Sequence, residues 1–201
     1  MGKRTIILCF AILLFLHTPA QATFPLHLGG FTLGEDIKHY QHLINMETCR
    51  DVPFNQYLKE GEIISQHGFK SGLIAYGLCD KPNKILRIKL KFNDPTKKFF
   101  NTLLKKYKTQ LGPPSEYKGD PFQTVIAWKW SFTNDQNERI SLILQHNIMV
   151  EDEKIGNAVK LTLTSQLDRE RTCFMTRFPE KPSPSQPKTP QRELWKFFIP
   201  Y

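Results

Sequence analysis

Four stretches of this chain alternate apolar and polar residues with a period of two: "KILRIKLKF", "TVIAWKWSF", "RISLILQHN" and "AVKLTLTS". In a strand, successive side chains point to opposite faces, so such alternation specifies a sheet with one apolar face. In the first stretch Leu86, Ile88, Leu90 and Phe92 fall on one face, and Arg87, Lys89 and Lys91 on the other. In the second, Ile126, Trp128, Trp130 and Phe132 are opposed by Lys129; in the last, Lys160 and Thr162 face outward. The shorter runs "GEIISQ" and "FKSGLIAYGLC" add two strands, joined to the next by the turn cluster "DKPN".

The strands fall into two groups of three, separated by "DPTKKFFNTLLKKYKTQLGPP". Phe99, Phe100, Leu103, Leu104, Tyr107 and Leu111 form one apolar helical stripe. Asp94 caps the helix with Pro95 in its first turn, and Gly112-Pro113-Pro114 stops it. A second helix is predicted in "GGFTLGEDIKHYQHLINMETC" from Leu33, Ile37, Tyr40 and Ile44, with Thr32 and Glu35 as a capping box. "QLDRERTCFMTRF" reads as a C-terminal helix. The predicted class is α+β. One antiparallel sheet of about six strands carries two main helices on one face, as a duplicated α-β-β-β unit, and its other face is polar and solvated.

The N-terminus reads as a secretory signal peptide. Lys3 and Arg4 precede an apolar run from Ile6 to Leu16, and Ala20-Gln21-Ala22 offers a small-residue cleavage site. The run is too short to cross a bilayer. Residues 1–22 are therefore expected to be removed, leaving an α+β domain over 23–178. The expected location is periplasmic or secreted. Loss of Lys3 and Arg4 lowers the formal net charge from +9 to +7. A basic exported protein is drawn to anionic surfaces or acidic partners, and nucleic acid is not expected.

Cys49, Cys79 and Cys173 then remain in an oxidising space. An odd count allows one internal bridge. Cys49–Cys79 is the expected pair, closing about 30 residues for roughly 3–4 kcal/mol, with Cys173 left over. There is no C-x-x-C phrase, and no metal or cofactor is expected.

After Phe178 the composition changes. Residues 179–191, "PEKPSPSQPKTPQ", form a proline-rich linker, and 192–201 form an aromatic tail. Trp195, Phe197, Phe198 and Tyr201 make that tail a candidate docking segment for a partner.

The main candidate site is the basic sheet face. Arg87, Lys89, Lys91, Lys129 and Lys160 project there, with Ser141, Gln145 and Thr162 between them as hydrogen-bonding groups. Such a face suits phosphate or carboxylate ligands. His39 and His42, with Glu35 and Asp36 one turn back, read as a polar helix face. No nucleophile site of the G-x-S-x-G, S-x-x-K or H-E-x-x-H kind is expected, and the carboxylates are scattered.

The phrase "LGGFTLGEDI" resembles the G-x-x-L-G opening of small envelope domains of the BamE type. The later run from "RIKLKF" to "ISLILQ" resembles exported bacterial proteins that lay helices on an antiparallel sheet. The resemblance implies an exported α+β domain of the cell envelope. The expected function is binding, of an envelope protein or an anionic envelope component, through the basic face. The alternative is a periplasmic, hydrolase-like enzyme with a site built from loops.

Overall fold

A computed structural model describes residues 24–64, 66–148 and 156–179. The expected signal peptide and the aromatic tail lie outside the described residues. A small hairpin comes first: β1 (His27–Leu28) and β2 (Phe31–Thr32) turn at Gly29-Gly30. Gly29 has φ +57°, and a Cβ there would collide with Leu90. This position needs glycine on both counts.

The main sheet is wholly antiparallel and has eight strands. Four form a meander: β3 (Ile44–Val52), β4 (Asn55–Ile63), β5 (Phe69–Gly77) and β6 (Ile85–Phe92). Helix α1 (Lys97–Leu111) follows. A second meander comprises β7 (Glu116–Tyr117), β8 (Val125–Thr133), β9 (Arg139–Asn147) and β10 (Gly156–Leu163), followed directly by α2 (Thr164–Arg177). The strand order is β3-β4-β5-β6-β10-β9-β8-β7. That order reads the same from either edge. The two halves therefore share one plan, four strands and a helix, and meet antiparallel where β6 pairs with β10.

This corrects the expectation of six strands and an α-β-β-β repeat. The added strands are β3 and β7, at the two edges, and the repeating unit places its helix last. The predicted first helix is the main source of the error. Only Ile37–Tyr40 is helical, as a single 3-10 turn capped by Asp36, which accepts the Lys38 N–H at 3.0 Å. The chain is extended again by Ile44. Leu33, Ile37 and Ile44 are all buried, but one turn and one strand bury them rather than one helical stripe.

One sheet face builds the core. Leu86, Ile88 and Leu90 of β6, Trp130 of β8, Leu142 and Leu144 of β9, and Val159 and Leu161 of β10 are buried there. Helix α1 packs on this face. Phe100 stacks on His146 with centroids 5.5 Å apart, and Tyr107 meets Trp130 edge-on at 6.0 Å. The cap is Thr96 rather than Asp94: its hydroxyl accepts the Phe99 N–H at 3.2 Å, while Asp94 accepts the Thr96 N–H. A buried polar chain anchors this end, because His146 Nδ1 lies 2.8 Å from Asn157, whose amide donates to the carbonyls of Asp94 and Thr96. Gly112 ends the helix as expected, and its carbonyl accepts the Trp130 indole N–H at 2.9 Å.

Helix α2 crosses the strand ends instead. Ser165 accepts the Arg139 N–H where β9 begins, and Phe174 packs on Tyr57 of β4. Between them the buried Glu170 carboxylate accepts the N–H groups of Cys79, Asp80 and Lys81 at 2.7, 3.0 and 2.6 Å. A Cβ on Gly77 would collide with that carboxylate.

The bridge is Cys79–Cys173, with Cα atoms 5.9 Å apart, and Cys49 is the free thiol among the described residues. The expected Cys49–Cys79 pair is thus corrected. Cys49 lies on edge strand β3, two strands from β5, which leads into the Cys79 turn. That turn instead lies against α2 and faces Cys173.

Two outcomes check this packing. Phe100→Ala should lower the free energy of unfolding by about 3–4 kcal/mol, read from urea melts. The double variant Cys79→Ser/Cys173→Ser should lose about 3–5 kcal/mol, because the bridge spans 94 residues. An unchanged denaturation midpoint in either would contradict the corresponding contact.

Candidate functional site: a basic cavity at the join of the two halves

The sheet face away from Leu86, Ile88 and Leu90 carries the predicted cations, and strand pairing decides which of them meet. Lys89 stands directly opposite Lys160, and Arg87 stands opposite Thr162 two pairs further along, on the same face. Lys89 and Lys160 lie within the strand pair that joins the two halves. Opposed residues of an antiparallel pair sit about 4.5–5.5 Å apart, where like charges repel.

These three cations line a cavity of about 260 Å³. Its apolar walls include Leu73 and Ala75 of β5, Ile143 of β9 and Ala158 of β10. Gln145 adds an amide, and Glu60 of β4 adds a carboxylate. Arg50 already holds Glu60 at 3.4 Å and reaches Glu62 at 3.6 Å. None of Arg87, Lys89 and Lys160 is in an ion pair among the described residues. The Arg87 Nε is buried without a hydrogen-bond partner. Burial lowers the pKa of Lys160 from the usual lysine value, and the charges of Arg87 and Lys89 lower it further.

The remaining predicted residues are not part of this cluster. Lys91 stands opposite Ala158, outside the cavity lining. Lys129 lies on β8, opposite Ile143, and pairs with Glu116 at 3.3 Å. Gln145 lines the cavity; Ser141 and Thr162 face each other across β9 and β10, next to Arg87. The face expected to be polar and solvated is closed at its middle, where Ala158 and Thr162 are buried. Alternation gives a residue's side of the sheet but not how deeply that side is enclosed. Glu60, Leu73, Ala75 and Ile143 were missed for that reason.

Other polar groups are committed elsewhere. His39 contacts Glu35 at 3.4 Å on an exposed segment. A groove beside α2 contains Arg139, Asp168, Ser165 and Asp80. There Arg139 binds Asp168 at 2.7 Å, Ser165 accepts from Arg139 N–H, and Asp80 accepts from Gln166. Ser115 and Lys118 have the spacing of a serine–lysine pair, which motif reading passed over. Ser115 accepts the Ser131 N–H and Lys118 pairs with Glu116 at 2.6 Å, so each has a separate partner. Among the described residues, no group of three His, Cys, Asp or Glu side chains comes together as a cation site. No helix there is long and apolar enough to cross a membrane.

Comparison with protein-family models, curated proteins and solved structures finds no match. The cavity must be read from its own chemistry.

A cluster of unpaired, partly buried cations opposes folding. Lys160→Met should therefore raise the unfolding free energy, by about 1 kcal/mol near neutral pH. The sign follows from linkage. The folded-state pKa of Lys160 lies below its unfolded value of about 10.4, so the unfolded chain binds more protons between the two. Wild-type stability gains from this group as pH rises through that window, and the gap between variant and wild type narrows. Urea melts near pH 7 and near pH 10 measure both. A Lys160→Met protein that is less stable at neutral pH would contradict the reading of Lys160 as a strained cation.

Proposed function

We propose that this chain is an exported binding protein of the cell envelope that holds an anionic component at the basic cavity between its two halves. One observation carries the reading: Arg87, Lys89 and Lys160 converge without acidic partners at a place where their mutual repulsion costs stability. A lysine whose charged form is disfavoured by burial and by two neighbouring cations, set in a cavity, is the kind of group that functional sites use. An incoming anion supplies the missing counter-charge.

The export part of the reading rests on the basic start, apolar run and Ala20-Gln21-Ala22 of the N-terminus. The Cys79–Cys173 bridge is in keeping with an oxidising compartment. In this reading the aromatic segment with Trp195, Phe197, Phe198 and Tyr201 adds a second contact to an envelope partner.

The test titrates wild type and Arg87→Met/Lys160→Met with inorganic phosphate and, separately, with phosphatidylglycerol vesicles. At least one probe should bind the wild type, with affinity falling as sodium chloride rises from about 0.05 to about 0.3 M. The double variant should bind that probe at least tenfold more weakly. Absence of binding to both probes, or equal binding by the two proteins, would overturn the proposal.

A further inference from the structure

The cavity's size and its mixed lining narrow the class of anion. At about 260 Å³ it falls just below the range of about 300–1,000 Å³ typical of sites for drug-sized ligands. It is too small for a polymer segment to lie along it. Its cations stand on the central strand pair, between apolar side chains that leave the sheet on the same side: Leu73 opposite Lys89, and Ile143 opposite Lys160. Each lysine of the central pair thus has an apolar neighbour on its outer flank. A ligand that matches this layout has a charged end and a short apolar body.

Charge number follows from the same geometry. The single lining carboxylate, Glu60, is engaged by Arg50. Three cations therefore face the ligand, which favours a doubly charged group over a single carboxylate. Arginine and lysine together suit a tetrahedral oxyanion, since the guanidinium donates directionally and the ammonium acts as a point charge. Arg87 is held with its Nε buried and unpartnered, so the protein itself leaves this guanidinium short of acceptors.

We infer that the cavity takes one compact organic dianion of the phosphate-monoester type, its oxyanion on Arg87, Lys89 and Lys160 and its short apolar group between Leu73 and Ile143. This rests on the anion-binding reading above and makes it specific. The ligand enters as a free small molecule. A bilayer surface or a long polyanion would bind this face only from outside the cavity.

Calorimetric titrations with inorganic phosphate, n-butyl phosphate and dextran sulfate test it, on the full chain and on two variants. Butyl phosphate should bind one to one, about tenfold more tightly than inorganic phosphate, as expected for burying one to two methylene groups. Lys160→Met should weaken both phosphates about tenfold or more. Ile143→Ala should weaken the butyl ester more than inorganic phosphate and so reduce the butyl preference, a split that general damage to the fold would not produce. The inference is overturned, with the anion-binding reading intact, if dextran sulfate binds and butyl phosphate does not compete. It is likewise overturned if the two phosphates bind equally well, or if Ile143→Ala leaves the butyl preference unchanged. Failure of all three probes to bind overturns the inference; if phosphatidylglycerol vesicles fail as well, the anion-binding reading falls with it.

Discussion

The pairing of β6 with β10 is the constraint on which the rest depends. Within the main sheet it is the one ladder that joins the two four-strand meanders. It merges two apolar strand faces into a single core, with Ile88 opposite Leu161 and Leu90 opposite Val159. The same register sets Lys89 against Lys160 on the reverse side. A slip of one residue would turn these lysines into the core, so burial of the apolar face enforces the charge cluster behind it. The stabilising and destabilising consequences of this ladder are inseparable. Helix α1 carries the chain from β6 towards the far edge. Helix α2 is then fixed across the strand ends by Glu170 and by the bridge from Cys173 to Cys79.

Much of the sheet was legible because period-two alternation is a direct imprint of a half-buried surface. β6, β8, β9 and β10 lie within a residue or two of the stretches that predict them, and α1 lies where its Phe100–Tyr107 stripe puts it. The edges were not legible. β3 reads "INMETCRDV", with few large apolar residues, because an edge strand covers little core. β7 is two residues long. The false first helix shows the complementary failure: Leu33, Ile37 and Ile44 have helical spacing, yet spacing cannot distinguish one helix from a turn followed by a strand.

The shared plan of the two halves left a trace that element order alone misassigned. The turn between β3 and β4 carries Pro53-Phe54, and the turn between β7 and β8 carries Pro121-Phe122. These phenyl groups are 101% and 88% exposed, so neither is there to fill the core. Matching turns in matching places would have pointed to two four-strand units. The cysteine pairing failed for a related reason, since proximity in sequence says little about which turn lies under which helix. Individual cations of the site were readable from Arg87, Lys89 and Lys160; their convergence was not, because it depends on which strands become neighbours across the middle of the sheet.

The account is tested most directly by following the Lys160 ammonium group by NMR through a pH titration, with lysines labelled at the side-chain terminus. It predicts that Lys160 titrates below the exposed lysines, that Arg87→Met and Lys89→Met each move it upward, and that a bound phosphate does so as well. A Lys160 that titrates with the surface lysines and ignores both substitutions would contradict the claim that the join between the halves holds a strained, ligand-seeking cluster of charge.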